Sequence, residues 1–185
     1  MVILMLAAFQ PGFRFAVGDP AEVLELFIGV EFMYGKTSVS LEMGRIVSGD
    51  PLNLDTLSTM AEGGVDTSRA SGVVVPYSSL LMVSVRFTLL NLEGWRVYAV
   101  GGAGFQKPSL SGDVVYSSDF DFTYMGGVGV KFLAGRIFSS GDLWDRVYFF
   151  LETGYYRLKV PVSLDFPNYV WKNVPDWKLG LIMGF

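Results

Sequence analysis

Nine ionisable side chains fall on one parity of a chain that alternates apolar and polar residues. They are Glu25, Glu31, Glu42 and Glu152, set against Arg14, Arg86, Arg96, Lys131 and Lys178. Such a set is suited to ion pairing, with bidentate Arg–carboxylate contacts where geometry allows. The chain has no His and no Cys. A Ser–His–Asp or Cys–His site is therefore excluded, as are disulfide, thiolate and zinc-finger chemistry. Carboxylate-only catalysis is formally open, but Glu25, Glu31 and Glu152 read better as salt-bridge partners. The stretches "GGAG" and "GGVGVK" look superficially like phosphate loops. They lie within alternating segments and lack the GxxxxGK[ST] spacing, so they do not make one. No catalytic residue, no cofactor and no metal site is expected. A net charge of −4 also argues against a nucleic-acid partner, which needs a basic footprint.

The segments that carry these charges repeat with period two, the signature of strands with one apolar face. An N-terminal stretch within residues 1–17 places Phe9, Phe13, Phe15 and Val17 opposite Gln10, Gly12 and Arg14. The same stretch can also be read as the remnant of a secretory signal, with Ala16-Val17-Gly18 as a cleavage site. Further alternating segments cover residues 22–34, 37–47, 79–90, 95–106, 121–134, 146–159 and 176–185. Counting the first, there are eight, and bacterial single-chain outer-membrane barrels have even strand numbers. Most run to about 10–14 residues, nearer the ~9–11 of a tilted membrane strand than the ~5–6 of a globular one. Connections alternate between long (residues 48–78, 107–120 and 160–175) and tight (Gly35-Lys36, 91–94). Residues 18–21 are short for an external loop and 135–145 long for a turn. A short helix is expected over residues 55–62, with Asp55 as N-cap and Gly63 as stop.

Hydrophobic residues make up 51% of the chain and charged residues only 17%, against about 25% charged in soluble domains. The longest charge-free stretch, residues 70–85, contains Gly72, Pro76 and four serines, a poor spanning helix. A transmembrane β-barrel and a soluble lipocalin-like barrel both fit this pattern, and interior volume separates them. Roughly 40 bulky apolar side chains would overfill an eight-stranded barrel, whose interior is just wide enough for side chains. The other face, with Gly12, Gly29, Gly44, Gly102, Gly104, Gly127, Gly129, Gly154, Gly180 and Gly184, is small and sparsely charged. It is therefore expected inside, the nine charges forming a polar plug. Tyr34, Trp95, Phe132 and Phe185 are expected in a periplasmic aromatic girdle, and Tyr77, Phe122, Tyr155 and Trp177 in an outer one.

Three stretches carry a family resemblance. "RVYAVGGAGF" resembles the aromatic–Val–Gly–Ala–Gly strand of the small OmpA/OmpX-type barrels and the wider outer-membrane β-barrel family. "MGGVGVKF" followed by "DRVYFFLETGYYRL" resembles that family's later Gly-rich strand and its hairpin partner. The last residues, "KLGLIMGF", resemble its assembly signal through Lys178, Gly180, Met183 and Phe185. The resemblance implies an all-β, eight-stranded, antiparallel up-and-down transmembrane barrel spanning residues 1–185 as one domain, integral to the bacterial outer membrane. It also implies partnership with outer-membrane lipid and lipopolysaccharide, and with the barrel-assembly machinery during biogenesis. Barrel enzymes of similar architecture use an essential His, which this chain lacks. The expected function is non-enzymatic: presentation of external loops and support of envelope integrity or surface contact, with a narrow channel as the first alternative. Asp50, Asp55, Glu62, Asp66, Asp113 and Asp119 make the expected external loops acidic. They read as solvated loops or, alternatively, as sites where divalent cations bridge to lipopolysaccharide phosphates.

Overall fold

A computed structural model describes residues 10–18, 25–47, 52–53, 73–110, 119–136, 144–161 and 169–184. Strands β1 (Gln10–Val17), β2 (Leu26–Tyr34), β3 (Thr37–Val47), β6 (Pro76–Leu92), β7 (Trp95–Leu110), β8 (Asp121–Leu133), β9 (Val147–Pro161) and β10 (Tyr169–Gly184) close into one barrel. A small separate ladder joins β4 (Leu52–Asn53) to β5 (Val73–Val74) within the longest connection. Every barrel strand pairs antiparallel with its chain neighbour, and β1 closes the ring on β10 through pairs from Gly12↔Gly184 to Val17↔Leu179. Closure pairs the backbone without leaving a sheet edge, the condition for a sheet in hydrocarbon. The first alternating segment is thus a barrel strand from Gln10 onward; residues 1–9 lie outside the described residues.

Two tight hairpins mark one end of the barrel. Gly35 (φ 57°) follows β2, and Gly94 (φ 83°) precedes β7. Both are left-handed conformations that glycine takes without a Cβ penalty. The third connection at this end, long for a turn on sequence, begins and ends in short 3-10 helices, Ala134–Arg136 and Trp144–Arg146. The expected helix over residues 55–62 lies outside the described residues.

The structure corrects several expected boundaries: β2 starts at Leu26, with Glu25 before the strand, rather than at residue 22, while most of the others are longer than expected. β6 starts at Pro76 rather than residue 79, β7 continues to Leu110 and β9 to Pro161. β10 starts at Tyr169, well before the expected residue 176. Pro175 misled the sequence reading. Among the described residues, β10 is paired with β1 only from Leu179 to Gly184, so Pro175 lies where the strand has a neighbour on one side alone, β9. Proline is tolerated at such an edge because no ladder bond is needed there.

Alternation sets the two surfaces. Leu26 and Val83 are 49% and 50% exposed on the outer wall, whereas Glu31 and Arg86 on the opposite parity are 0% and 2% exposed. In water this wall would be an apolar surface far larger than monomers tolerate; against acyl chains it is matched to its solvent. Outward aromatics stack across strands. At the hairpin end Trp95 meets Phe132 at 4.8 Å and Phe132 meets Phe149 at 5.3 Å. Toward the other end Phe105 and Phe122 pack edge to face at 6.4 Å. Tyr34, Phe122, Tyr155 and Trp177 are exposed and Tyr77 and Phe132 half-buried; Phe185 lies outside the described residues. A register shift between Thr88 and Leu90 leaves Leu89, Leu90 and Leu92 all exposed. This bulge keeps the wall apolar down to the hairpin.

Candidate functional site

The site is the barrel lumen, built from the inward parity of all eight strands. Its middle is an ion-pair layer. Arg14 from β1 reaches three carboxylates: Glu31 (3.1 Å), Glu152 (2.9 Å) and Glu42, whose Oε1 lies 3.3 Å from Arg14 Nε without hydrogen-bond alignment. Arg86 from β6 reaches Glu42 at 2.6 Å and Glu152 at 2.9 Å. Lys131 pairs with Glu31 at 3.3 Å, and Lys178 lies 3.7 Å from Glu42. Seven residues from seven different strands thus form one connected network. Neutral groups complete it. Arg86 Nη1 donates to Ser40 Oγ, Ser40 Oγ donates to Glu42 (both 2.6 Å), and Tyr98 OH donates to Glu152 at 3.1 Å. Isolated buried charges cost several kcal/mol each, and a mutually bonded set offsets that cost.

Aromatic rings line the layer and correct the expectation of a uniformly small interior. Arg14 stacks on Phe150 at 3.6 Å, and Lys178 Nζ sits 3.9 Å over Phe27. Such cation–π contacts gain strength when desolvated. Three of these rings lie directly opposite a glycine on the next strand: Phe27↔Gly44, Tyr98↔Gly129 and Phe150↔Gly180. A Cβ at any of the three glycines would collide with the facing ring. The glycines therefore do more than shrink the lumen. They clear the positions over which aromatic rings lie flat, so that ring and charge can stack in a narrow bore.

Not all nine sequence-predicted charges enter the network. Arg14, Glu31, Glu42, Arg86, Lys131, Glu152 and Lys178 do. Glu25 is buried but lies at the outer rim, where its carboxylate accepts from Val47 N–H at 2.6 Å and its carbonyl accepts from Gly18 N–H at 3.0 Å. It ties the top of β3 to the β1–β2 connection. Arg96 is half-buried near the hairpin end, 5.8 Å from the Tyr148 ring, and makes no ion pair among the described residues. Its register partner across the ladder is Lys131, a like charge. Asp176, buried on β10, was missed because that strand was expected to begin there. Of the assembly-signal residues, Lys178 points inward and is buried, Met183 points outward, and Gly180 faces Phe150; Phe185 lies outside the described residues.

Toward the outer end the inward face changes character. Ile46, Leu80, Leu158 and Val160 are buried here with Tyr156, as the outer part of an apolar cluster that continues down through Phe27, Tyr98 and Phe150 to Ile182. This apolar cap was not expected from sequence. The lumen is thus filled twice, by ions in the middle and by hydrocarbon above. Among the described residues no group of three or more His, Cys, Asp or Glu is arranged to hold a metal ion.

No protein-family model matches the chain, and no curated protein matches it. Among solved structures it is similar to the crystal structure of Neisserial surface protein A (NspA), at 12% identity and TM-score 0.51, covering 96% of each chain. It also matches a de novo designed transmembrane β-barrel at 9% identity and TM-score 0.45, covering 95% of each chain. A third match is Ail, the attachment invasion locus protein of Yersinia pestis, solved in complex with the heparin analogue sucrose octasulfate. It is 13% identical at TM-score 0.42, with 96% of each chain covered. At 12% identity the likeness to NspA concerns the fold alone, and it agrees with the closed ring of eight strands above. The chain has the fold of the small eight-stranded, antiparallel up-and-down outer-membrane β-barrels.

Proposed function

We propose that this chain is a non-enzymatic integral protein of the bacterial outer membrane. Its barrel anchors external loops and supports envelope integrity or surface contact, with outer-membrane lipid and lipopolysaccharide around it. Lys178, Gly180, Met183 and Phe185 serve as its signal to the barrel-assembly machinery. The observation that carries this reading is the doubly filled lumen behind an apolar wall. A conducting pore needs a hydrated path, and the Arg14–Glu31–Glu42–Arg86–Glu152 network with the Leu158–Val160 cap stands across the bore, which favours a plugged lumen. An enzyme needs a nucleophile and base in a cleft. The lumen charges here neutralise one another instead.

Planar-bilayer recording of the purified full chain tests the proposal against the narrow-channel alternative. A filled lumen gives no stepwise current in molar salt. Reproducible steps scaling with conductivity of the solution would overturn it in favour of a channel.

A further inference from the structure

We propose that the hairpin-end mouth of the lumen binds one small anion of halide size, held between Arg96, Lys131 and Ser38. The inference goes beyond the anchoring reading above and concerns a part of the bore that the ion-pair layer leaves unbalanced. That layer holds four cations, Arg14, Arg86, Lys131 and Lys178, against three carboxylates, Glu31, Glu42 and Glu152. Arg96 adds a further cation on the hairpin side and faces Lys131 directly across the β7–β8 ladder. Like charges in that relation repel. Among the described residues, the other buried carboxylates are Glu25 and Asp176, which lie toward the outer end of the bore. Glu93 and Asp145, at the hairpin end, are exposed, and Glu93 pairs with Arg136 at 3.1 Å.

The shape of the mouth agrees with its charge. A cavity of about 10 Å³ lies there, lined by Lys36, Arg86, Arg96 and Lys131 with Ser38 and Thr88 among them, and by no carboxylate. That is space for a single water-sized species. Backbone bonds fix the rim: Thr88 N–H donates to the Lys36 carbonyl at 2.8 Å, and Leu133 N–H donates to the Gly94 carbonyl at 3.0 Å. Ser38 is 4% exposed, and its Oγ lies near Glu31 without an aligned hydrogen-bond partner. It stands opposite Arg86 on the β3–β6 ladder, so the hydroxyl has a cation beside it. Buried hydroxyls are as a rule bonded, and one without a partner calls for a bound group. Lys131 already meets Glu31 at 3.3 Å. The uncompensated charge is therefore on Arg96, whose guanidinium edge carries several N–H donors. A water molecule would satisfy the hydroxyl and leave the repulsion in place; an anion answers both.

Chloride NMR line broadening by the full chain in non-ionic detergent tests this, with ionic strength held constant by gluconate. The wild type should broaden the chloride line saturably. Bromide should compete, and sulfate, too large for the cavity, should not. Arg96→Gln and Ser38→Val should each weaken the saturable broadening at least about tenfold, the scale of one lost charge-assisted hydrogen bond. Arg45→Gln, which removes an exposed cation at the outer end, should leave it unchanged. In gluconate alone Arg96→Gln should be as stable as the wild type, so the variant reports the ion and not the fold. Absence of saturable broadening would mean that water alone fills the mouth. Full broadening by either mouth variant, its loss in Arg45→Gln, or displacement by sulfate as strong as by bromide would mean a diffuse cationic surface. Each of these results overturns the site. Heat-dependent gel mobility shows separately that every variant has folded. Bilayer recording reads the plug and this titration reads the mouth, so either reading can fail without the other.

Discussion

The lumen has two halves that obey opposite rules. On β9, Leu151 points out to an apolar belt and Glu152 points in to the ion layer. Higher on the same strand, Arg157 and Lys159 are on the outward parity while Leu158 and Val160 are buried inside. β3 repeats the change, from Leu41 out and Glu42 in to Arg45 out and Ile46 in. β6 runs from Val85 out and Arg86 in to Ser79 out and Leu80 in. On these three strands alternation continues through the switch while its polarity inverts; on β7 and β8 Gln106 and Thr123 stay inward beside outward Phe105 and Phe122. Where the wall meets lipid, polar groups can be satisfied only inside, so the bore is ionic. Toward the outer end, cations return to the surface on β3 and β9, and the interior takes in Ile46, Leu80, Leu158 and Val160 beside buried Glu25, Ser78, Gln106, Thr123 and Asp176. Lys159 pairs with Asp121 at 3.0 Å and Arg157 bonds Asn173 at 3.3 Å on this upper wall, contacts that suit an aqueous setting.

Breaking the ionic half should cost most. Glu152 takes bonds from Arg14, Arg86 and Tyr98, so Glu152→Ala leaves two buried guanidiniums under-compensated. A destabilisation of about 3–5 kcal/mol is expected for a broken buried pair, read from urea unfolding in lipid vesicles. A value below about 1 kcal/mol would mean that water already reaches the network. Leu158→Ala in the apolar half creates a cavity without stranding a charge. The expected loss is about 2–3 kcal/mol, at the low end of core truncations, because the cap lies next to the outer connections.

Two smaller substitutions sharpen the contrast. Gly129→Val drives a side chain into the Tyr98 ring that bonds Glu152. Overpacking of about 1–3 kcal/mol is expected, and Tyr98→Ala in the same chain should recover part of it. Independent, additive effects would show that the ring and glycine do not form a unit. Arg96→Gln removes a charge beside Lys131 and outside the network, so stability should move by no more than about 0.5 kcal/mol. A large loss would reveal a role for Arg96 in holding the ion layer.

Sequence revealed the lower half of the molecule far better than the upper. Lipid on one side forces strict alternation, so the strand number, the parity of Leu26 or Val83 and the inward charges were all readable. The upper strand ends at residues 76–78, 107–110, 160–161 and 169–175 were read as parts of the long connections, the last of them because it contains proline; Ile46 and Leu158 fell inside expected strands, but alternation gave no sign that they fill the bore. Register was not legible at all. Nothing local in the sequence says that Gly44 faces Phe27 or that Gly129 faces Tyr98, so the inward glycines suggested a small bore when they in fact accommodate large rings. The same gap explains why Arg96 was grouped with the network: parity placed it inside, but only register shows that it stands beside Lys131 rather than a carboxylate.

The chain has no cysteine, so single thiols report position without background. Adjacent residues on β6 provide the most direct test: Val83 points to the wall at 50% exposed, and Ser84 points to the lumen at 2% exposed. A membrane-impermeant maleimide applied to both sides of the protein in lipid membranes should label Glu93→Cys at the exposed hairpin and leave both Val83→Cys and Ser84→Cys unlabelled until the barrel is unfolded. Rapid labelling at Val83 would mean that the apolar wall faces water. Rapid labelling at Ser84 would mean that the lumen is open.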